Sequence, residues 1–175
     1  MDNKLADKEY WFAFRIFHNK MKFVKAQLEQ DGKTYFLPIR LIQEEHDDGF
    51  TYREEPIIPS LLFVHCEETY LKQVTTQYAT HLSLYRIPGT TKPAIIPDRE
   101  MEVFQYVLSK GCQQLENVDE TLVKGNRVRI IGGLFKGAEG YITRIHGTKR
   151  FVVLIKGIAA VATTFVPRCF IEKIE

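Results

Sequence analysis

Residues 128–145, Val-Arg-Ile-Ile-Gly-Gly-Leu-Phe-Lys-Gly-Ala-Glu-Gly-Tyr-Ile-Thr-Arg-Ile, leave little freedom in what they can form. Val128 and Ile130 alternate with Arg129, and Tyr141, Thr143 and Ile145 alternate with Ile142 and Arg144. That period of two predicts two strands, each with one buried face. Gly132, Gly133, Gly137 and Gly140 surround Leu134-Phe135. They predict a turn with positive φ, an aromatic folded back onto the core, and a close backbone approach at Gly140. The same glycines, with the β-branched stretch Phe151 to Ile155, oppose any helix in this part of the chain.

The pieces that follow are a basic turn at His146 to Arg150, an apolar strand from Phe151 to Ile155, a Lys156-Gly157 turn and a closing Phe170-Ile171-Glu172-Lys173-Ile174. Together with Gly140 between alternating apolar positions, they resemble the KOW motif, which implies a small SH3-like β-barrel over residues 122–175. In the NusG family of transcription elongation factors this module follows a larger N-terminal domain.

Charge divides the chain in the same place. Residues 121–175 hold ten Lys/Arg against three Glu, a net of +7, whereas residues 1–120 hold fourteen against nineteen, a net of −5. The basic part is suited to phosphate or to an acidic protein surface, and equally to being a solvated face. A length of 175 residues with 45% apolar content suffices for one domain or two small ones. No apolar run approaches the roughly 18 residues of a membrane helix, and the first residues lack a signal-peptide core, so a cytosolic protein is expected. Cys66, Cys112 and Cys169 are too few and too far apart for a disulfide frame or a zinc knuckle. They are expected as reduced and mostly buried thiols.

From the start, residues 1–8 are polar and expected to fray. Tyr10 to Phe17 is nearly all aromatic and aliphatic, as in a central strand covered on both faces. Asn19 is placed to cap a helix with Met21, Val24 and Leu28 on its inner face and Gly32 as its stop. Thr34 to Ile42 reads as a strand interrupted by Pro38. The acidic loop from Glu44 to Gly49 reads as a hairpin tip in water, leading to Phe50-Thr51-Tyr52-Arg53. Leu61 to Val64 reads as a buried strand, Thr69 to Tyr78 as a helix and Leu82 to Ile87 as a strand. Asp98 begins a last helix with Met101, Phe104 and Leu108 on one face. Residues 112–121 lack periodicity and read as a tether between domains at 8–111 and 122–175.

This order of elements, opened by Tyr10-Trp11-Phe12 and centred on Ile58-Pro59-Ser60-Leu61-Leu62-Phe63-Val64, resembles the NusG N-terminal domain. The resemblance implies an α+β domain with a four-stranded, mainly antiparallel sheet flanked by helices. Ile58, Ser60 and Leu61 depart from the family's Phe, Gly and Tyr. Glu55-Pro56 and Pro93-Ala94-Ile95-Ile96-Pro97 look more like RfaH and other specialised paralogues, which implies an antiterminator of capsule or polysaccharide operons.

In such proteins the N-terminal domain lays an apolar patch on the clamp helices of the largest RNA polymerase subunit. The matching positions here are Ile58, Pro59, Leu61 and Phe63, with Met101 and Phe104 on the last helix. The same side chains also fit a buried core; Ile58 and Leu61 are assigned to the surface. Contact with non-template DNA falls to Arg15, Lys20, Lys22, Lys25 and His81. The KOW turn implies a second partner, a small-subunit ribosomal protein or the termination factor Rho, held by Leu134, Phe135, Lys136 and Ile158. RNA remains open through Arg127, Arg129, Arg144, Lys149 and Arg150. The alternative reading is a ribosome-associated KOW protein that binds RNA. A tethered adaptor of this kind is expected as a monomer.

Enzyme chemistry finds no foothold. Gly132 to Gly137 has the spacing of a phosphate loop, but Ala138-Glu139 stand where Lys-Ser/Thr are needed. The histidines at 18, 46, 65, 81 and 146 lack metal-ligand spacing. His65 and Cys66 are strand neighbours and point to opposite faces. No cofactor or metal is expected.

Overall fold

The computed structural model describes residues 8–17, 19–111, 116–118, 123–163 and 166–174. Of the N-terminus expected to fray at 1–8, residues 1–7 lie outside them, as does Cys112. The chain divides into two compact units, Met1–Leu37 with Pro59–Asp98, and Pro38–Ile58 with Arg99–Glu175.

The first unit is an antiparallel sheet with helices. Its central strands are β1 (Tyr10–Ile16) and β5 (Leu61–Cys66), paired Phe12 to Val64 and Phe14 to Leu62. β2 (Thr34–Phe36) pairs with β5 on one side; β6 (Leu82–Leu84) and the two-residue β7 (Ile95–Ile96) pair with β1. The sheet therefore has five strands, β2-β5-β1-β6 with β7 paired to β1, one more than the four expected. Phe12, Phe14 and Ile16 from β1, with Leu62, Val64 and Cys66 from β5, form one face of the sheet. Val24 and Leu28 of α1 (Met21–Gln30) and Tyr70, Leu71 and Val74 of α2 (Glu68–Gln77) close over it. At the rim of that core, Lys33 Nζ donates to Glu67 at 2.7 Å, which holds the Glu67 carboxyl below its usual range, and the Tyr70 hydroxyl donates to Asp31 at 2.6 Å.

Two local expectations are corrected. Asn19 does not cap α1; it sits at φ +56, and Lys20 takes the cap position with no side-chain bond. The strand expected across Pro38 is two strands in two sheets. Pro38 lacks an N–H, so pairing stops there, while its carbonyl accepts from Ile57 N at 2.7 Å. Beyond it, β3 (Ile39–His46) pairs only with β4 (Gly49–Pro56), in the hairpin the acidic loop predicted.

The second unit holds that hairpin, most of α3 (Asp98–Gly111) and a six-stranded antiparallel sheet. The sheet order is β13-β9-β10-β11-β12-β8, built from β8 (Glu116–Val118), β9 (Asn126–Ile130), β10 (Glu139–Ile145), β11 (Thr148–Ile155), β12 (Ala159–Ala162) and β13 (Ile171–Lys173). The C-terminal part is therefore strand, as its glycines dictate. Gly140 is required: a Cβ there would lie 2.4 Å from the Val152 carbonyl oxygen and 2.8 Å from the Phe151 ring. The tether expected at 112–121 is only partly described, and where it is described, at 116–118, it forms a strand on β12.

Candidate functional site

The apolar patch expected on the surface is sealed. Leu61 is 1% exposed, Phe63 0%, Met101 0%, Phe104 1% and Ile58 8%; of the six, Pro59 alone is exposed. The reason for Leu61 and Phe63 is position in the sheet. β5 is an inner strand between β2 and β1, and Leu61 and Phe63 lie on the face opposite Leu62 and Val64, where the Phe63 ring is 6.2 Å from that of Phe36 on the paired strand. Met101 and Phe104 belong to a stripe with Val107 and Leu108, spaced three and four residues apart, that turns the apolar side of α3 inward. A run such as Leu-Leu-Phe-Val has no alternation to show which face meets solvent, and here neither does.

The basic candidates of the first unit fare better. Arg15, Lys20 and Lys22 are exposed, while Lys25 and His81 are half-buried. The backbone brings them to one end of the sheet: Arg15 pairs with Ser83, Phe17 N donates to the His81 carbonyl, and Lys20 N donates to Phe17. Two features of this surface escaped the sequence reading. Phe23, 45% exposed on α1, lies 5.1 Å from the His81 ring and 5.7 Å from Tyr78. Arg86 and Tyr85 join Arg15, Phe17, Ser83 and Leu84 around a recess of about 240 Å³, with the Arg15 guanidinium 5.8 Å from the Tyr85 ring. The missing signal was the pairing itself, because β1 and β6 are distant in sequence. Cations interleaved with exposed aromatics can neutralise phosphates and stack bases of a single strand.

In the second unit, the Gly-rich turn puts Leu134 (51% exposed) and Lys136 outward and leaves Ile158 half-buried. Phe135 folds back onto the core as the turn predicted, 5% exposed with its ring 6.4 Å from Phe151, so it anchors the turn and is corrected only as a partner contact. The Lys136 carbonyl accepts from Tyr106 of α3 at 3.3 Å.

Next to this turn stands Glu139, ringed by three arginines. Its Oε1 accepts from Arg129 at 2.8 Å and Arg99 at 2.9 Å, and its Oε2 accepts from Arg127 at 3.1 Å. The Arg129 hydrogen bond, with the added charges of Arg99 and Arg127, holds the Glu139 carboxyl below its usual range. Two of the arginines expected to face RNA are thus engaged with a carboxylate, whereas Arg144 and Lys149 remain exposed.

Burial pushes the Cys66 thiol up to about 12, so it carries no thiolate at neutral pH. Cys169 is exposed, against expectation. Among the described residues no group of three or more His, Cys, Asp or Glu is gathered to hold a metal, and no helix is long and apolar enough to cross a membrane.

The two units are thus an antiparallel sheet with helices and a six-stranded antiparallel sheet, each with exposed cationic side chains. The profile of the NusG family, described as transcription termination factor nusG, matches residues 9–105. That is more than half of the chain, which therefore belongs to the NusG family. The solved structure of Thermotoga maritima NusG, described for its domain interaction, is similar at 20% sequence identity and a TM-score of 0.50, covering 96% of this chain and 98% of that one. A comparison with curated proteins found no match.

Proposed function

We propose that this protein is a transcription elongation and antitermination factor that binds RNA polymerase and suppresses pausing or termination, while its C-terminal sheet recruits a second partner. Membership of the NusG family carries the reading. The specialised, RfaH-like form of it is supported by the cationic and aromatic surface of Arg15, Lys20, Lys22, Phe23 and Arg86, which suits non-template DNA. Leu134 and Lys136 are the exposed residues of the turn to which the ribosomal or Rho contact falls. The protein acts without catalysis, in the cytoplasm. Ile58, Leu61, Phe63, Met101 and Phe104 are withdrawn as contact residues because they are buried.

The test is single-round transcription in vitro with core polymerase and the full chain. Longer products past a pause or terminator are expected, and Lys20→Glu with Lys22→Glu is expected to weaken the effect most at low salt, the gap to wild type narrowing as salt rises. Unchanged pausing at saturating protein would overturn the reading.

A further inference from the structure

The β3–β4 hairpin has two unlike faces. Its register sets Arg40 against Glu55, Ile42 against Arg53 and Glu44 against Thr51 on one side. That side is tied by ion pairs, Arg40 to Glu55 at 2.5 Å and Arg53 to Glu44 at 2.7 Å, and by His46 with Thr51 at 2.8 Å. On the other side Leu41 faces Glu54, Gln43 faces Tyr52 and Glu45 faces Phe50. There Leu41 is 53% exposed, Phe50 59% and Tyr52 68%. Three large apolar side chains thus run along one face of a two-stranded ribbon, and neither Glu45 nor Glu54 beside them has an ion-pair partner among the described residues.

An apolar stripe of this kind marks an interaction surface, and its charge selects the partner. Residues 39–56 carry two arginines against six carboxylates, a net of −4 with His46 neutral. A β-ribbon can enter a nucleic-acid groove, but this one would be repelled by phosphate. The same charge opposes a second copy, since joining two such faces brings Glu45 and Glu54 of each together within hairpins of net −4. Area argues likewise. Two aromatics and a leucine, exposed by half to two-thirds, offer on the order of 300–400 Å², well short of the roughly 800 Å² per partner of a stable complex. The occupant must already be held through another surface.

We propose that this face docks on a protein surface in which Lys or Arg side chains rim an apolar recess, as an auxiliary contact to the polymerase that the protein binds elsewhere. The inference rests on the polymerase-binding reading above. Phe50 and Tyr52 enter the recess, and Glu45 and Glu54 meet its basic rim.

The experiment uses the full chain and core RNA polymerase. A photo-crosslinking benzoylphenylalanine replaces Tyr52, and the affinities of Phe50→Thr/Tyr52→Thr and Glu45→Lys/Glu54→Lys are measured after unfolding curves show both variants folded. A crosslink from position 52 to a polymerase subunit, with each double variant binding roughly tenfold more weakly, as truncated interface aromatics do, supports the proposal. Wild-type affinity in both variants, with no crosslink from position 52, overturns it while leaving polymerase binding intact. Crosslinks to nucleic acid or to a second copy overturn it too. Failure of the wild-type chain to bind polymerase removes the underlying reading, and the proposal with it.

Discussion

The strand Leu61–Cys66 and the hairpin Ile39–Pro56 spend their large apolar side chains in opposite ways. In β5, Leu61, Leu62, Phe63, Val64 and Cys66 are all buried, and helices close over the face that Leu62, Val64 and Cys66 share. In the hairpin each strand has one neighbour, and Leu41, Phe50 and Tyr52 stand in solvent. Side chains of the same chemistry therefore serve cohesion in one place and recognition in the other. What packs on each face of the strand decides which.

The sharpest way to break this contrast is to truncate on both sides of it. Phe63→Ala removes a ring from a site with no solvent access and should cost about 3–5 kcal/mol, the usual range for a buried aromatic. Urea unfolding with the m-value held constant would measure it. A loss below about 1 kcal/mol would mean that β5 is not packed on both faces.

A second probe concerns backbone closeness. Gly140→Ala would drive a Cβ against the Val152 carbonyl, which is backbone and cannot rotate away. A loss of about 1–3 kcal/mol is expected, as for other overpacked sites. Gly147, with open space around its missing Cβ but φ +80, should lose less on the same change. Equal losses would show that positive φ, not the close approach, governs glycine use in this sheet.

How far the sequence could be read follows from the same distinction. Alternation and glycine spacing in 128–145 fixed β9, the turn and β10, because each strand has one wet face and the pattern records it. The same spacing placed Gly140 correctly. The all-apolar Leu61-Leu62-Phe63-Val64 was legible as a strand and illegible as to exposure, since a run without polar residues does not say what covers it. The acidic tip at Glu44 to Gly49 was recognised as a hairpin, but its sidedness depends on a register that pairs Gln43 with Tyr52 and Glu45 with Phe50. Phe23 and Arg86 join the basic candidates only through the pairing of β1 with β6. Asn19 failed as a cap because the tight turn after β1 needs positive φ, which Asn tolerates well.

Electrostatics gives a smaller effect with a definite sign. Glu139→Gln leaves Arg99, Arg127 and Arg129 facing one another, with partly exposed guanidinium groups, and should cost about 1 kcal/mol at neutral pH. The folded-state Glu139 carboxyl titrates below its ordinary 4.5. Its contribution is therefore complete above the unfolded value and is lost as pH falls through the lower folded one. The gap between wild type and variant should be widest near neutrality and close in acid. A gap that persists at low pH would mean that packing, not charge, is what Glu139 provides.

The smallest effect is the most diagnostic for the hairpin. Tyr52→Thr keeps a residue suited to a strand while removing a ring that is 68% exposed, and its cross-strand neighbour Gln43 is exposed as well. Almost no buried area is lost, so the stability should stay within about 0.5 kcal/mol of wild type, as for surface changes elsewhere. Ile42 lies half-buried on the ion-paired face, and Ile42→Thr should cost more than Tyr52→Thr in the same urea titration although it removes fewer atoms. If the order were reversed, the face bearing Leu41, Phe50 and Tyr52 would be the one that holds the hairpin in place, and its aromatics would no longer be free to meet a partner.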